Sequence, residues 1–116
     1  MSSAPDFGGE PTFVIQAVVR PDHHTLVLSG DLDHLSAAQL QPLVVRLCAE
    51  GARDIVLDMT RLSFMDSVGL QAILSAQMVC RDHGVGFMLT PAKASVQRVF
   101  EITGLTDVLP FARVAL

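Results

Sequence analysis

The chain has no tyrosine and no tryptophan, only two cysteines, and Lys93 as its one lysine beside seven arginines. With no aromatic platform, no basic stripe and a net charge of −4, the sequence argues against a nucleic-acid interface. A lone lysine outside any G-x-x-x-x-G-K-[ST] run excludes a P-loop, so the chain is not expected to be an ATP-using partner. The nucleophile elbow G-x-S-x-G is missing as well, since Met65 and Asp66 precede Ser67. No catalytic constellation stands out, and the chain is not expected to be an enzyme. No apolar run approaches the roughly 18 residues a membrane span requires, and no membrane insertion is expected. The first residues lack a basic segment followed by an apolar one, so no secretory signal is expected. Cys48 and Cys80 fall in predicted helices and make no disulfide framework; reduced, partly buried thiols in a cytoplasmic protein are expected. Asp31, Asp33, His34, His23 and His24 match no usual ligand spacing, so neither a metal nor a cofactor is expected.

What is present fits one domain of 116 residues, long enough to bury about two-thirds of its unfolded surface. Residues 1–11 are small, polar and Gly/Pro-rich and read as a disordered tail, leaving 12–116 as the domain. Thr12–Arg20 and Thr25–Gly30 are β-rich runs parted by a short turn at Pro21, which predicts an antiparallel hairpin. Ser36 to Gln39 has the form of a capping box, and Leu40, Leu43, Val44, Leu47 and Cys48 follow a helical stripe ended by Gly51. Pro42 lies inside that helix and predicts a kink, unless the first turn is separate or the helix starts later.

The organising stretch runs from Asp54 to His83. Asp54–Met59 reads as a strand covered on both faces, as in a parallel sheet, and Thr60–Met65 as a connecting turn. A helix then opens at Asp66 and Ser67, both favoured N-cap residues, with Gly69 easing the turn. Val68, Gln71, Ala72 and Ser75 are expected to face outward beside Ser67, with Met65 at the edge; Leu70, Ile73, Leu74 and Met78 are expected to face inward. Gly84 stops this helix, Val85–Thr90 forms another strand, and a third helix is expected to carry Ala92, Val96, Val99, Phe100 and Thr103 on one face. Val108–Phe111 could add an edge strand. The result is an α/β fold: a small mixed sheet of four to five strands flanked by three to four helices, in the order β-β-α-β-α-β-α-(β).

The run from Asp58 to Leu70, DMTRLSFMDSVGL, resembles the signature of STAS domains, specifically bacterial anti-sigma-factor antagonists. Gly30-Asp31-Leu32-Asp33 and Phe100 to Leu105 match further motifs of that family in order. The resemblance implies that a partner anti-sigma factor, itself a serine kinase, phosphorylates Ser67, and that a serine phosphatase restores it. It implies that the unphosphorylated form captures the anti-sigma factor and frees a sigma factor. It also places Asp33 near the serine. The partner contacts are then expected at Asp31, Asp33, Met65, Asp66, Ser67, Val68, Gln71, Ala72 and Ser75. Asp31 stands where the family more often has glutamate, and Val68 replaces a small hydroxyl residue common after the phosphoserine. Taken alone, Asp66-Ser67 is equally a plain helix cap. The alternative is a non-switching STAS subunit of a transport or scaffold complex.

Overall fold

The computed structural model describes residues 13–21 and 23–112; the expected tail at 1–11 lies outside them. Strands β1 (Phe13–Val19) and β2 (His23–Leu32) form the predicted antiparallel hairpin, with β2 longer at both ends than its β-rich core suggests. Strands β3 (Asp54–Met65) and β4 (Gly86–Leu89) complete a sheet of order β1-β2-β3-β4, in which β2, β3 and β4 run parallel. Helix α1 (Leu40–Ala49) joins β2 to β3, and helix α2 (Ser67–Asp82) joins β3 to β4. Both crossovers advance across the sheet in the same direction, so right-handedness puts both helices on one face, where they pack together. Helix α3 (Ala94–Ile102) follows β4 and buries Val96 and Phe100.

Covering one face gives β3 an alternating pattern: Ile55, Leu57 and Met59 are buried, while Val56 and Asp58 are half-buried. The expectation of a strand sealed on both faces is therefore corrected. Its apolar run reflects one packed face and one partly wet face.

Thr60–Met65 is not a turn. The strand continues through it, pairing Arg61 with Ser29 after one register shift and Met65 with Leu32 after a second. Side chains satisfy the backbone that this irregularity disturbs. The Asp58 carboxylate accepts from the Thr60 N–H (3.0 Å) and hydroxyl (2.6 Å), and the Thr90 hydroxyl oxygen accepts from the Met59 N–H (2.8 Å). Burial pushes the Asp58 carboxyl up, but the Thr60 and Thr90 donors, with Arg61 nearby, outweigh it and hold the carboxyl below its usual value.

The capping box is also absent. Ser36 is buried; its hydroxyl donates to the Asp31 carbonyl (2.6 Å) and accepts from the Asp33 N–H (2.9 Å), so it braces the loop after β2. Ala37–Gln39 form a separate 3-10 turn, and α1 begins only at Leu40. Pro42 is then the third helical residue, where a backbone N–H has no intrahelical acceptor, so the predicted kink does not arise. At the far end of the chain, Val108–Phe111 contributes one parallel bridge, Leu89 to Phe111, in place of a fifth strand. The Phe111 ring packs edge-on against Phe100 at 5.1 Å.

Gly84, at a φ of 69°, ends α2 as predicted, and the His83 ring contacts the Val79 carbonyl oxygen at 2.9 Å. Cys48 and Cys80 are free and buried where α1 and α2 meet. Burial pushes the Cys80 thiol up to about 12, and the neighbouring Cys48 adds to the effect. Thiolates are the reactive species. In the folded protein neither cysteine will react with Ellman's reagent at neutral pH, whereas both will react promptly once urea unfolds the chain.

Candidate functional site

The site forms where the carboxyl ends of β2 and β3 meet the first turn of α2. Asp66 leaves β3 with an extended backbone and caps the helix, its Oδ1 accepting from the Gly69 N–H at 2.9 Å. Ser67 is thus the first residue inside the helix, and it is exposed. A hydroxyl here is open to a second protein, and the free N–H groups and dipole of the first turn favour added negative charge.

Gly69 has a different task from the one its sequence position suggests. It is buried within the helix, and a Cβ there would overlap the carbonyl oxygen of Leu32 and come within 2.9 Å of its carbonyl carbon. The same carbonyl accepts from the Asp66 N–H (3.3 Å). The first turn of α2 is pressed onto the end of β2, and only glycine permits that approach.

The loop of residues 33–36 packs beside this turn. Asp66 Oδ2 accepts from the His34 N–H (3.1 Å), and the His34 Nδ1 lies 3.8 Å from the same oxygen. The Asp33 carboxylate accepts from the backbone N–H groups of Ser36 (3.1 Å) and Leu35 (2.9 Å). The Ser36 N–H is the largest influence on Asp33; desolvation opposes it, while Leu35, the Ser36 hydroxyl and His34 reinforce it, and the carboxyl falls below its usual value. Asp31 is half-buried, and its carbonyl anchors Ser36.

The predicted site residues therefore divide. Ser67, Val68 and Gln71 are exposed on the first turns of α2, Asp66 caps that helix and Asp33 lies in the loop tethered to it through His34, while Asp31, Asp33, Asp66, Ala72 and Ser75 are half-buried. Met65 does not join them: its side chain is 4% exposed and belongs to the core. Met78, expected inside, is 57% exposed, because the buried stripe of α2 runs through Gly69, Leu70, Ile73, Ala76 and Cys80. Small residues carry the tightest contacts, and a hydrophobicity pattern gives them little weight. Sequence reasoning also missed the apolar neighbours Leu35 (78% exposed) and Val45, which shares a shallow groove with Ala37, Ala38, Pro42 and Ala72. A leucine between Asp33 and Ser36 in a polar loop was the available signal.

Removing the cap will have a measurable cost. Asp66→Ala loses the bond to Gly69 and the tether to His34, and stability in urea will fall by about 1–2 kcal/mol, mainly through a lower midpoint.

An α/β sheet with an exposed serine opening the helix after its central parallel strand defines a STAS-type domain, and the chain belongs to the STAS domain family, whose model matches residues 14–115. Among curated relatives, it is similar to the anti-sigma-B factor antagonist of Staphylococcus epidermidis, with 24% identity over 95 residues, 82% of this chain and 88% of that one. Among solved structures, it resembles the anti-sigma factor antagonist SpoIIAA in its unphosphorylated form (TM-score 0.71, 24% identity, 87% of this chain and 88% of that one). It also resembles an anti-sigma factor antagonist from Mycobacterium paratuberculosis (TM-score 0.73, 21% identity, 97% of this chain and 92% of that one). No helix among the described residues is long and apolar enough to cross a membrane.

Proposed function

We propose that this chain is an anti-sigma-factor antagonist switched by phosphorylation at Ser67. The unphosphorylated form captures an anti-sigma factor, itself a serine kinase, and so releases a sigma factor. Phosphate on Ser67 ends the capture, and a serine phosphatase restores it. The observation that carries this reading is the exposed Ser67 hydroxyl at the start of α2, between the Asp66 cap and the exposed Val68. A phosphate adds about −1.5 to −2 charges at that point. The helix N-terminus can carry that charge without unfolding, but a partner packed on Leu35 and Val68 must desolvate it or be repelled by it.

The test is incubation with ATP and a cognate kinase-type anti-sigma factor, followed by phosphosite mapping and a binding assay. One phosphate on Ser67, none on Ser67→Ala, and release of the phosphoprotein from its partner support the reading. A phosphoprotein that stays bound overturns the switch. A partner that binds but transfers no phosphate points to a non-switching subunit of a transport or scaffold complex.

A further inference from the structure

We infer that His34 holds the phosphate on Ser67 within the same chain, its imidazole leaving Asp66 to pair with the new dianion. This deepens the proposed function and rests on Ser67 as the modified residue.

Four observations carry it. First, His34 is fixed at its backbone and free at its side chain: its N–H is held by Asp66 Oδ2 at 3.1 Å, whereas the side chain is 69% exposed. Second, its Nδ1 is already 3.8 Å from the carboxylate next in sequence to Ser67. His34 thus stands beside the first turn of α2, which Ser67 opens, with a side chain free to turn toward a group added there. Third, the charged groups set against His34 are acids, Asp33 from its own loop and Asp66 from the start of α2. A dianion placed beside these acids is stabilised by an imidazolium in contact with it. The other ion pair among the described residues, Arg46 with Glu50, belongs to α1. Fourth, the helix offers a phosphate less than its full set of donors, since Asp66 Oδ1 already occupies the Gly69 N–H.

The experiment uses full-length protein carrying phosphoserine at position 67, installed during translation so that no kinase is needed. The second ionisation of the phosphate, near pH 6 in isolation, is followed by phosphorus NMR. An imidazolium in contact favours the dianion, so the wild-type midpoint will lie roughly half a pH unit below that of His34→Gln. His34→Arg, which keeps a cation at every pH, will restore the low midpoint. Equal midpoints in wild type and His34→Gln, with both folded by circular dichroism, overturn the inference. That result leaves the Ser67 switch standing, because the switch is tested separately by kinase transfer and partner release.

Discussion

Ser67→Asp will bind the anti-sigma factor some two to three decades more weakly than wild type while remaining as stable or slightly more so. The two signs come from two environments. Within the chain, residue 67 is the first residue of α2, where a carboxylate interacts favourably with the helix dipole, typically by about 0.3–1 kcal/mol. Between chains, the same carboxylate stands next to the exposed Val68 on the surface proposed to meet the partner. Burying an unpaired charge there removes about 3–4 kcal/mol of binding free energy. Ser67→Ala will behave in the opposite way, binding normally and becoming indifferent to ATP and kinase. Calorimetric titration with purified partner, set beside a urea melt of each variant, separates the two effects. A Ser67→Asp protein that binds with wild-type affinity would overturn the switch.

Gly69→Ala will destabilise this protein, although the same change stabilises most helices. In an ordinary helix interior the change is stabilising by up to about 1 kcal/mol, because glycine costs more backbone entropy. Here the new methyl meets the Leu32 carbonyl, which is main chain and cannot rotate away. Either α2 lifts from the end of β2 or the Leu32–Met65 pairing opens, and each exposes core side chains. Overpacking of this kind costs about 1–3 kcal/mol, and a clash with backbone belongs at or above the upper end. Thermal denaturation should show a fall of more than about 10 °C. Since Asp66 caps the same turn, the variant will also displace Ser67 and weaken partner capture. A melting temperature equal to or above wild type would show that the close approach is not required.

Much of the architecture was legible because its signals are local. The hairpin, the two crossovers, the glycine stops and the cap at Asp66 each depend on a few neighbouring residues, and each appears in the fold. The misreadings share a cause. Ser36 has the form of a cap but bonds to the Asp31 carbonyl, because the chain folds back after β2. Thr60–Met65 lacks a strand-like alternation because the register shifts against β2 break it. Neither partner in these contacts is predictable from spacing alone.

The candidate site divides in the same way. An acid-serine pair opening a helix after a buried strand is written in the sequence, and so is the family to which it points. That Met65 turns into the core, that Gly69 is required by the Leu32 carbonyl, and that His34 lies against Asp66 are products of tertiary structure. Local propensity determined the order of the elements and the glycine stops that end the helices. Only the meeting of β2, β3 and α2 decided which side chains surround the serine, because contacts between residues some thirty positions apart depend on sheet order and packing.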